Sequence, residues 1–158
     1  MKWGEWLYDK WGMTCLKITL PFAELEFQPQ DADKAAAWEL YIELLTRITT
    51  QPLDKRHGDE ATALTSVYSL FGTTREIIKR NGRECFEFTK IAIIVLNQIV
   101  RPFTAKWHKS SVEGTFKNPE QCNEFRDELN ILQGRLRTYT KMLADMAGVE
   151  GLTDLEDL

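Results

Sequence analysis

Seven apolar residues near the C-terminus, Phe125, Leu129, Leu132, Leu136, Tyr139, Leu143 and Met146, follow one another at spacings of four and three. An α-helix gathers such positions on one stripe, because about 3.6 residues make a turn, whereas a strand would scatter them over both faces. The ends are marked too. Asn118 can accept from the free N–H groups of a first turn, Pro119 suits the first helical position, and Gly148 permits the left-handed step that ends a helix. A seam of this length needs an apolar surface of equal length beside it, which predicts a helical bundle. The spacing leaves open whether that surface belongs to the same chain or to a second copy.

Further helical stripes precede the seam. Trp38, Tyr41, Leu45 and Ile48 share one face behind Asp31 or Asp33 as a cap, and Leu64, Val67, Tyr68 and Phe71 share another. Gly72 predicts a break, with Thr73 and Glu76 as a capping box for the next helical segment, and Asn81-Gly82 predicts a stop. From about Arg83 a third helix begins, in which Phe86, Phe88, Ile91, Ile94, Val95 and Ile99 are apolar almost all round, marking the central helix. At the N-terminus, Trp3, Trp6, Leu7 and Trp11 lie at helical spacing, and the alternating runs 16–20 and 23–27 read as two short strands around Pro21. The expected fold is therefore mainly α: a four- or five-helix bundle with a short N-terminal β-hairpin or extended arm. Residues 1–30 form the tryptophan-rich segment and strand pair, residues 31–148 the bundle, and residues 149–158 an acidic tail.

Composition narrows the function classes. No apolar run approaches the roughly 18 to 20 residues that a membrane-spanning helix needs, and Glu5 and Asp9 stand where a signal peptide would be apolar, so a soluble cytoplasmic protein is expected. The 3 cysteines (Cys15, Cys85, Cys122) lack a paired spacing and the chain has 2 histidines, which argues against a disulfide framework or a zinc site. Glu39 and Glu43 are four apart, but no histidine accompanies them as in helical metal centres, and no cofactor is expected. P-loop, G-x-G-x-x-G, G-x-S-x-G and H-E-x-x-H patterns are all missing. The net charge of −4 conceals a basic middle. Residues 75–117 hold nine bases against four acids, whereas residues 24–60 and 118–158 each hold nine acids against four bases. Internal pairing with the acidic neighbours is the first reading of that segment, and a phosphate-binding patch the second.

The central helix runs into Arg101-Pro-Phe-Thr-Ala-Lys-Trp-His108, an abrupt cationic and aromatic cluster. Arg101 and His108 are seven residues apart, two turns, and share a face if the helix continues through Pro102; otherwise Arg101 stands at the entry of a new helix. A guanidinium that holds phosphate and an imidazole that exchanges a proton near neutral pH are the parts needed when a ribose hydroxyl attacks its own phosphate.

The pair Arg101-x6-His108 resembles the R-x(4–6)-H motif of HEPN domains, helical bundles that act as RNases in many bacterial defence and toxin systems, usually as dimers. That family often has a polar residue after the arginine, where this chain has Pro102. The octapeptide is also similar to strings in uncharacterised bacterial proteins, some of them linked to phage defence. The resemblance implies a metal-independent RNase with Arg101 on the phosphate, His108 as general acid or base, and Lys106 and Lys109 steering RNA. The residues themselves support a different reading, which comes first with the RNase as its alternative: a non-enzymatic interaction or regulatory subunit of a bacterial assembly. It would bind itself or a larger effector through Trp3, Trp6 and Trp11, because indoles dominate interfaces once desolvated. His57, beside acids in a loop, is a further candidate for joining a site.

Overall fold

The computed structural model describes residues 1–47, 53 and 59–149. His57 and the tail from residue 150 onward lie outside them, as does Ile48. The described chain is mainly helical, with α1 (Asp31–Leu45), α2 (Glu60–Asn81), α3 (Phe86–Val95), α4 (Arg101–Val112) and α5 (Pro119–Ala147). A wide, π-type turn at Glu5–Lys10 and a one-turn helix at Leu20–Ala23 precede them.

α5 starts and stops where its sequence signals lie. The Asn118 side chain accepts from Glu120 N–H at 2.9 Å, and Gly148 closes the helix at φ 71°. Its seam is buried from Phe125 to Met146, and α1 lies along it, so the apolar stripe is satisfied within the chain. Gly72 does not break α2, which runs unbroken for 22 residues from its Asp59 cap. Glycine costs about 1 kcal/mol in a helix interior, less than the burial of Leu70, Phe71, Thr74 and Ile77 around it contributes. Thr73 and Glu76 are accordingly interior residues and not a cap. Gly82, at φ 78°, does end the helix.

The expected hairpin is absent: among the described residues no strand forms, and the single pairing is an isolated antiparallel bridge between Lys2 and Glu26. Pro21 sits in the first turn of the short helix Leu20–Ala23, whose Thr19 cap accepts from Phe22 N–H. That turn interrupts the alternation before two strands can pair. What the segment builds is an aromatic cluster. Trp6 stacks on Phe27 at 4.1 Å, and Trp3 meets Trp6 edge-on at 5.5 Å. Gly4 lets the N-terminal turn lie close on the short helix, because a Cβ there would stand 3.3 Å from the Ala23 Cβ.

Asp33, fully buried, ties two helix starts together. Its carboxylate accepts from Gln30 N–H at 2.7 Å at the head of α1 and from Phe88 N–H at 2.9 Å at the head of α3, whose own Cys85 supplies no side-chain cap.

Candidate functional site

Pro102 decides the geometry of the cationic cluster. A proline inside a helix has no N–H to donate and its ring crowds the carbonyl four residues back. Here the chain answers by widening one turn: Leu96–Val100 is π-type, and Arg101 N–H donates to the Leu96 carbonyl, five residues back. The backbone remains helical through Val95, Leu96, Val100 and Arg101. α3 and α4 therefore form one rod, and Arg101 and His108 stand two turns apart on one face of α4.

That face lies against α2. The Arg101 guanidinium carbon is 4.7 Å from the centre of the Phe71 ring, and Arg101 Nε donates to Asn97 Oδ1 at 3.1 Å. His108 packs its ring against Tyr68 at 4.9 Å with the planes 64° apart. Arg101 is exposed and His108 half-buried. Neither makes an ion pair among the described residues. Tyr68 and Phe71 read in sequence as part of an apolar stripe, and only Phe71 is buried. Their role beside the cations carries no motif, since it depends on two helices meeting.

The two lysines differ. Lys106 Nζ reaches Glu128 at 2.6 Å and Glu124 at 3.2 Å, and the Glu128 carboxylate, accepting from the ammonium, raises its pKa above the usual lysine value. Glu128 also accepts from Trp107 Nε1, so Lys106 is engaged in holding α4 to α5. Lys109 is exposed and has no carboxylate partner among the described residues. Elsewhere in the basic segment, Arg80 pairs with Glu39 and Lys90 with Glu87, so internal pairing accounts for part of it.

Two of the three tryptophans expected to hold a partner are inside the protein. Trp3 is 0% and Trp6 1% exposed. Their indole N–H groups donate at 2.8 Å to Glu87 and Asp145 respectively, so each brings a hydrogen-bond partner into the core's edge. Trp11 is half-buried against the same core, and its Nε1 has no hydrogen-bond partner among the described residues.

A separate concavity of about 480 Å³ lies between α1 and α2, lined by Trp38, Ile42, Thr73, Glu76 and Arg80 among others. It does not include Arg101 or His108, and Glu39 and Glu43 on its wall are tied to Arg80 and Arg47. It contains no histidine; Arg101 and His108 lie instead where α4 meets α2. Among the described residues no three histidine, cysteine or carboxylate side chains gather to hold a metal, and no helix is long and apolar enough to cross a membrane. Cys85 is buried; the Cys122 thiol is pushed up by burial and by the nearby Glu60 charge, which opposes a nucleophilic role.

Comparison with protein-family models, curated proteins and solved structures finds no match to this chain.

Proposed function

We propose that this chain is a metal-independent, HEPN-like endoribonuclease whose site is the groove between α2 and α4. One observation supports the reading: Arg101 and His108 share a face of α4, both reach solvent, and no ion pair engages either among the described residues. With Nε given to Asn97 and no carboxylate partner among the described residues, the Arg101 guanidinium keeps its two Nη groups for phosphate oxygens. His108 takes the proton of a ribose 2′-hydroxyl, the 2′-oxygen attacks its own phosphorus, and the bond to the 5′-oxygen breaks. A 2′,3′-cyclic phosphate and a 5′-hydroxyl result, the leaving oxygen collecting a proton from imidazolium or water. Lys109, exposed on the same helix, adds positive potential, whereas Lys106 is held by Glu124 and Glu128.

The alternative, an interaction subunit, drew on the tryptophans, the strand pair and the α5 seam. The seam is covered by α1, Trp3 and Trp6 are core residues, and the strand pair does not form, which leaves that reading less support. A setting in bacterial phage defence rests on the resemblance alone.

The test incubates an RNA containing both hairpin and unpaired stretches, in excess EDTA, with the wild type or with Arg101→Ala/His108→Ala. The wild type is expected to leave cyclic-phosphate ends, and the double variant to lose at least about a hundredfold in rate while keeping its circular dichroism. A well-folded wild type that cleaves no RNA overturns the proposal.

A further inference from the structure

We infer that Tyr68 is a base-stacking platform, so that the groove takes unpaired RNA and rejects duplex; this rests on the RNA reading above. Tyr68 is 53% exposed, although it sits in the middle of α2 between two fixed neighbours. Its ring centre is 4.9 Å from that of His108 at 64° and 5.7 Å from that of Phe71 at 49°. Both neighbours meet it at an angle, and among the described residues no ring lies parallel on it. Trp6 is the contrast within the same protein: its ring is stacked on Phe27 at 19° and is buried. The Tyr68 ring thus touches two other rings at an angle while about half of its surface stays exposed, 53%, leaving area for a flat ligand.

The neighbouring groups say which flat ligand. Phe71, the next ring along α2, carries the Arg101 guanidinium 4.7 Å from its centre, so a phosphate-binding cation and an open aromatic ring stand one ring apart. A nucleotide with its phosphate on Arg101 brings its base to Tyr68 and its ribose toward His108. In a duplex both base faces are already stacked and the edges paired, so the platform adds nothing there. Every base has a π-face, so the selection is for strandedness and not for sequence.

The probe is a short 2′-O-methyl oligonucleotide carrying one 2-aminopurine, which cannot be cleaved because its 2′-oxygen has no proton to lose. Binding is read by anisotropy, and stacking by quenching of the 2-aminopurine emission. The wild type and Tyr68→Phe are expected to bind and quench alike. Tyr68→Leu, a change at an exposed position, is expected to bind roughly tenfold more weakly and to lose the quenching, and duplex probe to bind the wild type at least about tenfold more weakly than single strand. Equal quenching by Tyr68→Leu, or equal binding of duplex, overturns the inference. If unmodified RNA is cleaved by wild type and by Tyr68→Leu at the same rate but not by Arg101→Ala/His108→Ala, the RNase reading stands and this one falls. If the wild type neither binds nor cleaves, both fall.

Discussion

Replacing Asp33 by alanine removes one carboxylate and leaves two backbone N–H groups, of Gln30 and Phe88, without their acceptor. Hydrogen bonds to a charged group contribute about 1.5–3 kcal/mol each, so two lost bonds cost roughly 3–6 kcal/mol. Removing the carboxylate also removes its desolvation penalty, which brings the expected net loss to about 2–4 kcal/mol. For a chain of this size each kcal/mol moves the melting midpoint by about 2–4 °C, so a fall on the order of 10 °C is expected. Urea and thermal unfolding followed by circular dichroism measure the free-energy loss and the fall in midpoint, with Asp31→Ala as control. Asp31 stands in the same first turn but is exposed, and its loss should cost less than about 1 kcal/mol, the worth of a charge at a helix start. If Asp33→Ala unfolds within about 1 kcal/mol of wild type, or if both variants lose equally, the tie between α1 and α3 is not what holds these helix starts.

Trp6→Ala empties a fully buried indole site and frees Asp145 of one donor; a loss of about 3–5 kcal/mol is expected in the same unfolding assay, and near-wild-type stability would show that the N-terminal cluster is not part of the core. Tyr139 is buried with no partner for its hydroxyl among the described residues, and burial raises its phenol pKa well above the ordinary value. Above about pH 10 the unfolded state loses this proton while the folded state keeps it, so stability falls as pH rises through that point. Tyr139→Phe should match or exceed wild type at pH 7 and flatten the alkaline decline; an unchanged decline assigns it to other groups. Lys106→Met should leave RNA affinity within about twofold, because Glu124 and Glu128 already hold the ammonium, whereas Lys109→Ala should reduce the salt dependence of binding by about one counterion. Equal effects from the two would show that the pairing of Lys106 does not withhold it from RNA.

Local chemistry was legible wherever it acts over a few residues. The α5 seam, its Asn118 cap and its Gly148 stop could be read off directly, as could the stop at Gly82, because helix periodicity and capping depend on neighbours within about one turn. Gly72 and the alternating runs 16–20 and 23–27 misled for one reason: each reports a local preference worth roughly a kcal/mol or a few, and the surroundings outvoted it. At Gly72 the packing of α2 carried the helix through, and around Pro21 a one-turn helix displaced the strands. Pro102 left two outcomes open, and the widened turn at Leu96–Val100 selected the continuous rod. The sequence by itself determined that Arg101 and His108 would share a face in that case, because both lie on one helix. Only the tertiary structure decided that Phe71 and Tyr68 would stand under them, that Lys106 would be taken up by α5, and that Trp3 and Trp6 would face inward. Those outcomes depend on which faces of separate helices bury the most apolar surface together, a property of the whole assembly of helices and of no single segment.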